Sequence, residues 1–247
     1  MDERIEIDGR PAGAGTLLGG YGHFTAMQVR DGRTRGLALH LQRLDAATRE
    51  LFGEPLEGEL VRDRIRHALG TDVRDASVRV YVLDADAGLS TVVTVRPPAP
   101  SPPSPQGLHA VPYLRPVAHL KHASGFAQEY YRRQAQRMGF DEALLTGDGG
   151  VVAEGGITNV GFVDGSTAVW PDAPALAGIT MQLLERRVPS RRATVRLRDL
   201  PSFDGMFVTN SHGVAAVDRV DDLAVPVAHT FMATLRQAYD AVPWDRI

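Results

Sequence analysis

Of the 27 basic residues in this chain of 247, 26 are arginine and one, Lys121, is lysine. Arginine replaces a surface lysine at little cost, because both need only carry a solvated charge. A lysine amine, however, can lose its proton and attack a carbonyl to form a Schiff base, which a guanidinium with a pKa above about 12 cannot do. Lys121 is thus either a chance survivor or a residue kept for nucleophilic chemistry. The chain has no cysteine, which removes disulfides, thiolate metal sites, iron–sulfur ligation and a cysteine nucleophile. His23, His119, His122 and His212 stand singly with no acidic cluster at ligand spacing, so no metal site is expected.

If Lys121 does form a Schiff base, the usual aldehyde is pyridoxal phosphate, and that cofactor makes further demands on the sequence. Its pyridine nitrogen works as an electron sink only when protonated, which calls for a carboxylate beside it. Glu154, in VVAEGG, is a candidate; the alternative is a solvated turn glutamate. The phosphate needs backbone N–H groups, hydroxyls and preferably an arginine. Gly178-Ile179-Thr180 precedes a helical pattern, Thr209-Asn210-Ser211 follows a strand, and Arg43 lies in HLQRL. Taken singly, these segments read equally well as a plain helix start, a turn and an exposed arginine.

The elements that must position these residues follow from periodicity. Ile5 and Ile7 alternate before Asp8-Gly9, and HFTAMQV runs into Asp31-Gly32, so two hairpins are expected. Residues 40–52, with Leu41, Leu44, Thr48 and Leu51 on one side, read as a helix, and Val61, Ile65 and Leu69 mark a second. Val78, Val80 and Val82 alternate with Arg79, Tyr81 and Leu83 in a strand, and LSTVVTV at 89–95 gives another. The proline-rich stretch 96–105 cannot continue either structure. The boundaries expected are a small domain over 1–100, a linker over 101–106 and a larger domain over 107–247. In the latter, residues 123–138 read as a helix with Phe126, Tyr130 and Met138 on one side. EALLT, VVAEGGITNVGFV, TAVW and MFVTN read as strands, and a last helix carries Phe231, Leu235 and Ala238.

The composition, 43% hydrophobic and 23% charged with a net charge of -3, is that of a soluble globular chain. With no basic block it argues against a nucleic-acid partner. No apolar run is long enough for a membrane span, and MDERIEIDGR is charged where a signal peptide would be apolar, so a cytoplasmic protein is expected.

Taken together and in this order, the motifs resemble the class IV aminotransferases, the fold-type IV family of pyridoxal phosphate enzymes. The resemblance runs through GHFTAMQVRDG, HLQRL, LKH, MGFDEALLTGDGGVVAEGGITNVGFV, AGIT and MFVTNSHGVAAVDRV, of which the long middle block is the most specific. It implies an α+β fold with a small α/β amino-terminal domain, a larger pseudo-barrel domain, an active site between them and a homodimer. By the same resemblance Lys121 matches the Schiff-base lysine, Glu154 the ring-nitrogen partner and Arg43 the phosphate arginine. Ile179, Thr180 and Ser211 match the phosphate cup, with Asn210 beside it, and Asn159 matches a structural asparagine. Phe24 stands where many members have tyrosine, and Arg79 matches an arginine of the branched-chain enzymes, so these two are the substrate-binding candidates. The implied activity is amino-group transfer between a small amino acid and a 2-oxo acid. Lys121-His122 and HFTA look more like the aminodeoxychorismate lyases, and a non-catalytic module on the same fold is a third reading.

Overall fold

The computed structural model describes residues 4–11, 20–85 and 88–247. In chain order the strands and helices are β1 (Arg4–Ile7), β2 (Arg10–Pro11), β3 (Gly22–Val29), β4 (Arg33–Arg35), α1 (Leu37–Phe52), α2 (Gly58–Leu69), β5 (Ala76–Ala85), β6 (Gly88–Arg96), β7 (Gln106–Pro112), α3 (Phe126–Arg137), β8 (Glu142–Thr146) and β9 (Val152–Gly155). They continue as β10 (Asn159–Asp164), β11 (Thr167–Pro171), α4 (Ile179–Glu185), β12 (Ser190–Ala193), β13 (Gly205–Asn210), β14 (Gly213–Val220), β15 (Leu223–Ala224), α5 (His229–Asp240) and β16 (Trp244–Arg246). The chain divides into two compact units. The first comprises Met1–Pro100, Leu120–Ser124 and Pro243–Ile247, and the second comprises Ser101–His119 and Gly125–Val242.

The first unit is built on an antiparallel sheet of order β2-β1-β6-β5-β3. Strand residues two apart share a face. Met27 and Val29 of β3, Val78, Val80 and Val82 of β5, and Val93 and Val95 of β6 therefore form one apolar face, covered by Leu37 and Leu44 of α1 and Val61 and Ile65 of α2. The opposite face carries Phe24 and Ala26 against Tyr81 and Arg79 in register. Leu120–Ser124 belongs to this unit because it adds to the free edge of β3: the Phe24 N–H donates to the Lys121 carbonyl at 2.8 Å and the Ala123 N–H to the Gly22 carbonyl at 2.8 Å.

The second unit holds a nine-stranded mixed sheet, β12-β11-β10-β13-β14-β7-β8-β9 with β15 on β14, curled into a half barrel. Alternation again divides its faces. Leu108, Leu144, Phe162, Val208 and Val217 make one core. Val163, Phe207 and Ala216 pack instead with Met181 of α4 and Leu235 of α5, and Leu145 and Ala143 with Ala135 of α3.

One expectation is corrected. The helix begins at Phe126 rather than 123, and its apolar stripe faces out: Phe126 is 80% exposed, Tyr130 52% and Met138 55%, while Ala135 is the buried position. A small residue lets α3 lie close on β8, whereas Phe126 and Tyr130 stack on each other outside, with ring centroids 6.1 Å apart. No helix among the described residues is long and apolar enough to cross a membrane.

The faces make a direct test of packing. Leu44 is fully buried beneath α1, so Leu44→Ala is expected to cost about 2–5 kcal/mol, read as a lower urea midpoint at unchanged slope.

Candidate functional site

Each unit gathers its own set of chemistry-bearing side chains. In the first, residues 121–123 extend β3, with an isolated bridge pairing His23 and His122. This pairing places the Lys121 ammonium 4.7 Å from the centroid of the Phe24 ring. The same ring stacks on Tyr81 at 5.0 Å, and the Arg79 guanidinium lies 5.9 Å from its centroid and reaches the Tyr81 hydroxyl at 3.4 Å. Phe24, Lys121 and Arg79 thus share one aromatic surface.

Arg43 joins them through His40. That imidazole is buried, with Nδ1 2.7 Å from the Thr25 hydroxyl, and its pKa is pushed down to about 3 by burial first and then by the charges of Arg43 and Lys121. His23, on the same side of β3, is lowered to about 4 by burial. Its tautomer follows from proton counting. The Thr48 hydroxyl donates its one proton to the Leu44 carbonyl at 2.8 Å, so it must accept from His23 Nε2 at 3.0 Å, which leaves Nδ1 bare. Two neutral imidazoles therefore tie β3, which carries the lysine segment, to α1, which carries Arg43.

In the second unit Glu154 sits just past a register shift. Thr146 pairs with Val152 and Leu145 with Glu154, which leaves Ala153 as an extra residue. Simple alternation would put Glu154 beside Val152 in an apolar core. The bulge turns it to the face of Leu145. There Arg115 meets it with two arms, Nε to Oε1 at 3.0 Å and Nη2 to Oε2 at 3.4 Å, and the Leu176 N–H donates to Oε2 at 3.1 Å. Both partners are almost wholly buried, Arg115 at 6% and Glu154 at 5% exposure. Tyr113 lies close by, its pKa raised chiefly by burial.

Asn159 holds the segment that supplies this amide. Its Nδ2 donates to the Leu176 carbonyl at 2.6 Å, and its Oδ1 occupies the space that a Cβ on Gly178 would need. The next residues, Ile179 and Thr180, begin α4, whose first intrahelical bond is Gln182 N–H to the Gly178 carbonyl at 2.9 Å. Their own amides precede the ladder. The Thr180 hydroxyl donates to the Asn210 carbonyl at 2.7 Å, which joins α4 to the β13–β14 hairpin. Asn210 Oδ1 accepts the His212 N–H at 2.8 Å and so fixes that hairpin around Ser211.

Several functional partners escape sequence reasoning. Arg115 is one arginine among 26, and its partner lies 39 positions away. His40 looks like one more polar residue of a helix. Glu142 is buried, and burial raises its pKa to about 7 against the opposing pull of the Ala143, Ile157 and Gly156 amides and Arg132. The guanidinium, 3.7 Å away and partly exposed, is too distant to reverse the burial effect. The double glycine after Glu154 serves this packing: a Cβ on Gly156 would stand 2.8 Å from Glu142 Oε1. Among the described residues no group of three or more acidic or histidine side chains could hold a metal ion.

Comparison with known proteins adds a family. The model for amino-transferase class IV matches residues 22–220. A hypothetical aminotransferase from Mycobacterium tuberculosis, in a PLP-bound form, superposes with a TM-score of 0.82 at 20% identity over 98% of each chain. A branched-chain aminotransferase from Thermoproteus uzoniensis gives 0.82 at 16% identity, covering 96% of this chain and 93% of the other. A protein described as a 4-amino-4-deoxychorismate lyase from Legionella pneumophila gives 0.82 at 18% identity, covering 93% and 97%. No curated protein sequence matches the chain.

The buried imidazoles give a pH prediction. Their pKa values in the folded chain lie below the ordinary 6.5, so folding is favoured above pH 6.5 and this contribution is lost as pH falls toward 4 for His23 and 3 for His40. In imidazole nitrogen NMR spectra both rings are expected to stay neutral from pH 8 to about 5, with His23 as the Nε2–H tautomer. A midpoint near 6.5 for either ring would contradict the assignment.

Proposed function

The chain belongs to the class IV aminotransferase family, and from that membership we propose that it is a pyridoxal phosphate-dependent enzyme moving an amino group between a small amino acid and a 2-oxo acid. The family uses pyridoxal phosphate. The observation that carries the proposal is the placement of the only lysine, pinned by backbone hydrogen bonds to the edge of β3, with its amine over Phe24 and its charge felt at the same imidazole as that of Arg43.

The residues of each unit suit that group. A carboxylate oxygen has two lone pairs; Glu154 Oε1 accepts one bond among the described residues and so keeps a place for a ring N–H. Arg43, the amides of Ile179 and Thr180, and Asn210 and Ser211 of the hairpin supply the kinds of donor that a phosphate dianion needs. Thr180 offers its amide rather than its hydroxyl proton, which the Asn210 carbonyl already takes.

When bound, the cofactor supplies an electron sink that stabilises negative charge on the substrate carbon next to nitrogen. Lys121 would provide the amine for its attachment and, when free and neutral, the base that takes the proton from that substrate carbon and delivers it to the cofactor carbon bonded to the same nitrogen, as amino-group transfer requires. Glu154 holds the ring nitrogen protonated, Arg43 and the amides fix the phosphate, and Arg79 beside Phe24 receives a substrate carboxylate. A homodimer acting in the cytoplasm completes the proposal.

The pair Lys121-His122 favours a second reading, 4-amino-4-deoxychorismate lyase, in which the same proton removal is followed by loss of the group on the neighbouring carbon and release of pyruvate and 4-aminobenzoate. Visible absorbance of the cofactor-loaded protein, with a panel of D- and L-amino acids, separates the readings. Bleaching by an amino acid supports the aminotransferase. An unbleached band with pyruvate formed from aminodeoxychorismate supports the lyase, and no band after incubation with pyridoxal phosphate supports a non-catalytic module. Lys121→Ala is expected to lose the borohydride-fixed adduct seen by mass spectrometry and at least about 10²-fold in turnover, the low end of a general acid–base contribution.

A further inference from the structure

Arg115 has no part in the family resemblance, yet it makes the most extensive contact of any side chain with the glutamate at the centre of the second unit's set. A buried carboxylate needs compensating charge, and a planar guanidinium meets both of its oxygens at once where an ammonium would meet one. Of the four lone-pair places on Glu154, the Arg115 Nε and Nη2 bonds and the Leu176 N–H fill three. The fourth is on Oε1. The fork also fixes the plane of the carboxylate, and therefore the direction of that remaining lone pair. The same Nη2 donates to the Ala118 carbonyl, so the guanidinium is held by its own loop three residues ahead of Lys121. The bulge at Ala153 and this anchored fork are separate features that orient one side chain.

We propose that Arg115 is a positioning residue for the ring-nitrogen contact: it orients and charge-compensates Glu154 so that Oε1 presents one lone pair to a pyridine N–H. The proposal rests on the reading of Glu154 as the ring-nitrogen partner. Arg115 touches neither substrate nor cofactor in this role; it acts through the carboxylate.

The test compares equilibrium binding of pyridoxal phosphate with that of its 1-deaza analogue, which has carbon in place of the ring nitrogen, to the full-length apoprotein. Wild type is expected to prefer pyridoxal phosphate. Arg115→Met is expected to lower that preference by about tenfold or more, the scale of a charge-assisted hydrogen bond, with the analogue's affinity little changed. Arg115→Lys, which keeps the charge but not the fork, should recover only part of the preference; it decides the matter if Arg115→Met does not fold. An unchanged preference in the folded variants, or an equal loss for both ligands, would show a merely structural arginine and overturn the proposal. Absence of any preference in wild type would instead remove the reading of Glu154, and the role of Arg115 with it.

Discussion

An exposed sheet edge presents unpaired N–H and C=O groups that must find partners, and the placement of the chain's only lysine follows from how the edge of β3 meets that requirement. Residues 121–123 supply a carbonyl to Phe24 and an N–H to Gly22. A residue held by backbone hydrogen bonds has a fixed side-chain origin, so the Lys121 amine is directed over the ring of Phe24. The other face of β3 carries His23 and Thr25, whose bonds to Thr48 and His40 fasten α1 to the strand. Arg43 rides on that helix. Backbone pairing and buried side-chain bonds thus set lysine, arginine and aromatic ring in one frame.

The second unit solves a different problem, that of presenting a carboxylate from within an apolar sheet. One extra residue turns Glu154 out of the Val152 face, and the turn is useful because a guanidinium and an amide wait on the other side. Asn159 makes the amide available by holding the carbonyl of the same residue, Leu176, while Gly178 leaves room for the asparagine. Thr180 and Asn210 then link the start of α4 to the hairpin. Glu154, Asn159, Thr180 and Asn210 are each held by a neighbour rather than standing alone.

Much of this frame was legible in the sequence. The valines of β5 alternate cleanly because one face of the sheet is buried, and Leu44 and Thr48 mark the inner side of α1. Periodicity reports a stripe, though, and not what covers it, which is why Phe126, Tyr130 and Met138 marked as buried a side that α3 exposes, while Ala135 faces β8. The bulge at Ala153 has no compositional signal, since an inserted alanine in a β-rich run leaves the run looking regular. Arg115 was hidden twice: a composition with 26 arginines gives no reason to single one out, and ion pairs distant in sequence appear only when the strands are assembled.

The charges of the two units also differ in kind. Lys121 and Arg43 gather positive charge around His40, and a third cation there would have to be buried against both. Desolvation prevents it by keeping the imidazole neutral, so its bond to Thr25 does not change as pH moves through the physiological range. Glu154 carries the opposite charge but is answered at once by Arg115. The first unit thus sets two cations around a neutral imidazole, whereas the second holds a carboxylate whose charge is already compensated. Each arrangement depends on a buried neighbour: a neutral His40 adds no third charge beside Lys121 and Arg43, and Arg115 supplies the counter-charge that a buried Glu154 needs.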